Sequence, residues 1–139
     1  SSIGKKKLFF YHSKSPINTL VEEVSNYQKA QVKEIKNVDT ITLNKIFDNL
    51  KLDKHIDYMN IDVEGHELDV LNGLDLIKYK PSIISIEYLD FQMNNLEFKN
   101  NNVYRIFETE FYKLLITKDY HFVNWLHGDL IFVHKDFRD

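Results

Sequence analysis

Apolar positions fall into short blocks along this chain, and their spacing changes from block to block. Leu8-Phe9-Phe10-Tyr11-His12 follows three lysines, and its aromatic content predicts a strand. Ser15 before Pro16 reads as a capped helix start, with Leu20, Val21 and Val24 at helical spacing; a helix is expected over about 16–27. Val32, Ile35 and Val38 among charges predict a strand over 31–38. Leu43, Ile46, Phe47 and Leu50 then recur at three and four, an amphipathic helix capped by Thr40 or Thr42. Residues 57–62 read as a central strand. Leu68, Val70, Leu71 and Leu74 place a helix after Gly65, with Asn72-Gly73 as its stop signal.

The β-branched run from Ser82 to Tyr88 is the strongest strand signal and suits a strand buried on both faces. Residues 93–102 are polar and Asn-rich, a loop. Val103, Ile106, Phe107, Phe111, Leu114 and Leu115 predict one helix over 103–117. Tyr120 to Leu126 and Leu130 to His134 are strands joined by His127-Gly128-Asp129, a hairpin signal. Alternating strands and helices at this spacing predict an α/β fold. It would have a parallel sheet, flanking helices on right-handed crossovers and a C-terminal antiparallel hairpin. Residues 1–139 are read as a single domain.

Composition narrows the class. Hydrophobic residues make up 43% and charged residues 28%, which fits a globular chain rather than a disordered one. A net charge of -3 does not suggest a general nucleic-acid binder, and the Lys5-Lys6-Lys7 run reads as a solvated strand end. No apolar run approaches the roughly 18 residues that span a bilayer. The lack of cysteine excludes disulfides and thiolate zinc sites and fits a reducing compartment; a cytoplasmic location is expected. The four glycines, Gly4, Gly65, Gly73 and Gly128, lie far apart, so no glycine-rich phosphate or nucleotide loop is present.

Candidate chemistry gathers where strands end. In a parallel sheet, ligands bind beyond the carboxyl ends of the strands. Asp62 and Glu64 lie at one such end, and Glu87 and Tyr88 at the next. If the first hairpin strand runs parallel to these, Trp125, His127 and Asp129 share that edge. Clustered carboxylates can act as a general base or hold a hard divalent cation, and His66 can add an imidazole. The plainer reading has Glu64 and Glu67 meeting helix N-terminal amides and Asp62 fixing the turn. A Ser-His-Asp nucleophile lacks its G-x-S-x-G motif, and a Walker-type site lacks its phosphate loop.

The run Asn60-Ile61-Asp62-Val63-Glu64-Gly65-His66-Glu67-Leu68-Asp69-Val70-Leu71-Asn72-Gly73 resembles the signature of FkbM-type methyltransferases. That signature reads Lys-Ile-Asp-Val-Glu-Gly-x-Glu-x-x-Val-Leu-x-Gly. Residues 39–47, 81–88 and 120–132 are similar to the segments that flank it, so the resemblance spans about residues 8 to 135. Asn60 stands where Lys is common, and His66 where a small residue is common.

The resemblance implies a Rossmann-like class I methyltransferase fold with S-adenosylmethionine as cofactor. It implies O-methylation of a sugar or small-metabolite hydroxyl; the charge and the short apolar runs noted above lead us to expect no nucleic-acid or membrane partner. Asp62, Glu64 and Glu87 become the catalytic candidates, with His66, Tyr88, Trp125 and His127 on the substrate side and no metal ligand. The family's glycine-rich cofactor loop and its ribose-binding acid have no counterpart here. The chain therefore looks like the carboxyl-terminal part of such a domain. A sheet shortened in this way exposes an edge strand, and self-association is expected. Two other readings of the same carboxylate edge stay open: a non-catalytic interaction module and a divalent-metal-binding hydrolase.

Overall fold

A computed structural model describes residues 4–11, 13, 18, 20, 22, 32–53, 55–88, 103–126 and 128–138. The helix expected over 16–27 falls almost wholly outside the described residues, and the loop at 93–102 and His127 fall outside them altogether. The chain divides into two compact units. One comprises Ser1–Asp53 and Asp62–Asp75, the other Lys54–Ile61 and Leu76–Asp139. Strands and helices occur in both, which makes this a mixed α/β chain.

In the first unit, β1 (Gly4–Phe10) and β2 (Glu34–Thr40) form a two-stranded antiparallel sheet, with Gly4 opposite Thr40 and Phe10 opposite Glu34. Lys5, Lys7 and Phe9 share one face of β1; the lysines at its start are exposed, and Phe9 and, two residues on, Tyr11 are buried. Helix α1 (Leu43–Asn49) is capped by Thr42, whose side chain accepts from the Lys45 amide at 3.3 Å. Helix α2 (Glu67–Asn72) ends at Gly73. The Asn44 amide donates to the Gly73 carbonyl at 3.0 Å, and the Asn44 side-chain oxygen accepts from the Asp75 amide at 2.6 Å. A Cβ at Gly73 would lie 3.5 Å from the Thr42 Cβ and 3.3 Å from the Val70 carbonyl oxygen. Glycine thus lets the end of α2 approach the cap of α1 closely.

The second unit carries a four-stranded sheet in the order β3-β4-β6-β5. The strands are β3 (Tyr58–Ile61), β4 (Ile83–Glu87), β5 (Tyr120–Leu126) and β6 (Asp129–His134). The β3–β4 pair is parallel, and β4–β6 and β6–β5 are antiparallel. Helices α3 (Tyr104–Glu108) and α4 (Glu110–Thr117) stand where one helix was expected. Thr109 divides them: its backbone is extended, its hydroxyl donates to the Ile106 carbonyl at 2.6 Å, and the same oxygen accepts from the Tyr112 amide at 3.3 Å. Ile84, Ile86, Ile106, Leu115, Leu130, Phe132 and Tyr120 form a core with no exposed surface. Each such side chain contributes about 1.5–3 kcal/mol by leaving water. The buried Tyr120 hydroxyl donates to the Pro81 carbonyl at 2.7 Å, and burial pushes its phenol well above the ordinary tyrosine range.

The sheet differs from expectation in one respect. The strands predicted over 8–12 and 31–38 do not join a common parallel sheet; they pair with each other as β1 and β2. Parallel strands are covered on both faces and read as continuous apolar runs. Lys5, Lys6 and Lys7 on β1 and Lys36, Asn37 and Asp39 on β2 bar that degree of burial. β4 meets the requirement, with Ile84, Ser85 and Ile86 all buried in succession.

Candidate functional site

From Asp62 to Gly73 the signature run lies in the first unit, as a turn and a helix; Asn60 and Ile61 end β3 in the second. Asp62 is exposed and Glu64 half-buried. Glu64 and Gly65 both take left-handed backbone, with φ of 53° and 97°. Glycine adopts this freely, whereas a glutamate does so at a cost of about 1–2 kcal/mol. The Glu67 carboxylate holds the turn: its Oε1 accepts from the Gly65 amide at 3.0 Å and from the Val63 amide at 3.4 Å. Glu67 therefore has the plain structural role, serving amides that precede the helix. His66 is the N-cap of α2, but its ring makes no capping bond.

The His66 ring faces a different pair. Its Nδ1 lies 2.7 Å from Asp69 Oδ2, and Lys6 Nζ reaches the same oxygen at 2.9 Å. Lys6 Nζ also lies 3.5 Å from His66 Nδ1. The hydrogen bond from Lys6, then that from His66, holds the Asp69 carboxyl below the usual aspartate range. His66 Nε2 is shut off from solvent and has no hydrogen-bond partner among the described residues. Asp69 and Lys6 were not among the residues expected at the site. His66 and Asp69 stand three apart at a helix start, a spacing that brings side chains together. Lys6 left no such signal, because it comes from 63 positions away on β1.

The second unit holds the other candidates. Glu87 ends β4 directly opposite Asp129 on β6, and the Tyr88 amide donates to the Gly128 carbonyl at 2.8 Å. Two antiparallel steps make β5 run in the direction of β4, so the β5–β6 turn lies at the carboxyl end of β4, as expected. The Tyr88 ring meets Trp125 edge-on at 5.6 Å between centroids and Phe111 at 6.1 Å. A register irregularity between Phe122 and Asn124 precedes Trp125, whose indole N–H is buried with no acceptor among the described residues. In short, Asp62, Glu64 and His66 belong to the first unit, and Glu87, Tyr88 and Trp125 to the second.

The chain belongs to the FkbM methyltransferase family: the Methyltransferase FkbM domain matches residues 3–120. The match takes in the acidic turn and β4 and stops as β5 begins. No curated protein and no solved structure matches the chain significantly. Among the described residues, no helix is long and apolar enough to cross a membrane.

The family implies S-adenosylmethionine, and the glycines test whether these residues cradle it. Gly4 stands on β1, Gly128 in the β5–β6 turn, Gly73 packs against Thr42, and the Gly65 amide is bonded to Glu67. No two of them lie together at one strand-to-helix turn, so the residues present do not fit the family's glycine-rich cofactor loop.

Proposed function

We propose that this chain is the acceptor-side portion of an S-adenosylmethionine-dependent O-methyltransferase acting on a hydroxyl of a sugar or small metabolite. The observation that carries the reading is the FkbM match across the acidic turn at 62–67. In this reading Asp62, Glu64 and Glu87 are the carboxylates able to orient a hydroxyl and draw its proton away, and Tyr88 and Trp125 are aromatic acceptor contacts. His66 and His127 are further acceptor contacts. The methyl group itself comes from the cofactor, and no step of its transfer is assigned to these residues.

The missing glycine cradle favours a second reading, a non-catalytic module that uses the same strand ends to bind a partner. Titration calorimetry with S-adenosylmethionine separates the two. Saturable heat supports the transferase. No heat at millimolar cofactor overturns self-sufficient catalysis and leaves the module. β3 is an outer strand of its sheet, so the proposal extends to self-association through that edge. A sedimentation profile that stays monomeric across concentration would remove that extension.

A further inference from the structure

In the second unit, β6 runs directly into a single 3-10 turn, Lys135–Phe137. His134, the last residue of β6, caps this turn: its Nδ1 accepts from the Asp136 amide at 3.2 Å, so that nitrogen carries no proton. The ring is buried and meets Tyr120 edge-on at 5.0 Å between centroids. Among the described residues, the charges that face it are Asp136 and Lys135 on the turn, Lys80 from the segment before β4, and Asp119 from the residue before β5. They pair off with one another. Lys80 Nζ holds Asp136 Oδ2 at 2.6 Å, and Lys135 Nζ holds Asp119 Oδ2 at 2.9 Å. Beyond the cap, the Phe137 ring lies 4.9 Å from the His55 ring and 6.2 Å from the His134 ring. His55 Nε2 in turn meets Ser82 Oγ at 2.6 Å.

We propose that residues 135–137 form a pH-operated latch: protonation of His134 releases the turn and frees the Phe137 ring from His55 while the four-stranded sheet stays paired. This does not depend on the acceptor-side reading above. A proton on Nδ1 turns the cap's acceptor into a second donor facing the Asp136 N–H. It also puts a charge on a ring closed to water. Asp136 Oδ2, 3.6 Å from Nδ1, attracts that charge, but Lys80 already holds the same oxygen, and Lys80 and Lys135 both repel the ring. Burial is the largest influence and holds His134 below the ordinary histidine range. Opening the turn hydrates the ring and breaks few links. They are the cap, an Arg138 amide bond to the Lys135 carbonyl at 3.3 Å, the Lys80–Asp136 ion pair at the surface, and the contacts of Phe137, itself 46% exposed. The sheet retains the His134 amide bond to the Ser82 carbonyl at 2.9 Å, and its apolar core takes no part. The latch is therefore closed above about pH 6.5 and loosens as pH falls below it.

NMR and amide exchange on the full chain test the latch. Protection of the Asp136 amide, corrected for the intrinsic exchange rate, should fall between pH 7.5 and 5.5. The fall can reach roughly tenfold, the most that one proton allows from an ordinary histidine. The Ile84 and Phe132 amides, on β4 and β6, should keep their protection over the same range. The proton–proton contact between the Phe137 and His55 rings should fade at the titration midpoint of the His134 ring resonances, a comparison that needs no variant. His134→Gln, which keeps an acceptor but does not titrate, should hold Asp136 protection level with pH. His55→Gln should leave the pH dependence in place. Asp136 protection indifferent to pH in the wild type would overturn the inference, as would β4 amides opening in step with Asp136. So would a pH dependence that survives in His134→Gln or vanishes in His55→Gln, and so would a ring contact that fades away from the His134 midpoint.

Discussion

The two units are each held together by different means. Among the described residues, the second buries Ile84, Ile86, Ile106, Leu115, Leu130, Phe132 and Tyr120 in one continuous apolar core. The first buries Phe9, Tyr11, Leu71 and Leu74 and adds directional links: Asn44 to Gly73 and Asp75, Lys6 to Asp69, and Glu67 to the turn amides. Apolar burial is strong and non-directional, whereas hydrogen bonds contribute less net stability but fix geometry. The second unit is therefore built for stability and the first for the shape of its turn.

The largest expected effect falls on the apolar core of the second unit. Phe132 has no exposed surface and packs against the rings of Tyr112 and Phe122. Phe132→Ala should cost about 3–5 kcal/mol, read as a lower denaturant midpoint at unchanged slope. A loss below about 1 kcal/mol would mean that the core is far looser than its burial indicates. Leu71→Ala comes next, at about 2–4 kcal/mol. Amide exchange should quicken in α2 much more than in β4. Equal quickening in both would break the comparison, because stability would then be shared rather than local.

Smaller still is a pH effect carried by the second unit. His134 is buried, and burial lowers its pKa from the ordinary 6.5, outweighing the opposing pull of Asp136. The unfolded chain then binds the proton more readily than the folded one. The stability that His134 contributes is whole above about pH 6.5 and drains away as pH falls below it. Melting temperature should drop between pH 7.5 and 5.5, and His134→Gln should flatten that drop; an equal drop in the variant would reassign the effect. Smallest is Thr42→Ala, which removes a cap bond of 3.3 Å at about 1 kcal/mol and should fray the start of α1 alone.

How far these regions could be read from sequence follows the same division. β4 was legible because a β-branched run has few other homes, and the hairpin because Gly128-Asp129 separates two apolar runs. α1 was legible from its spacing, with Thr42 the cap of the two threonines considered. The separate β1–β2 sheet was not, because alternation of apolar and charged residues announces a strand without naming its partner. The break at Thr109 was missed because its hydroxyl competes with the helix locally, while the apolar period runs on past it. At the site, the acidic turn and its family were legible as a contiguous motif. The Lys6–Asp69–His66 arrangement was not, since folding brings Lys6 there from another strand.

The Glu67 carboxylate occupies the two amides that a turn of this kind would otherwise offer to an incoming ligand. Elsewhere such amides are where phosphates come to rest. Here the chain has brought its own anion, so a phosphorylated molecule arriving at this turn would find its place already taken and a negative charge in it.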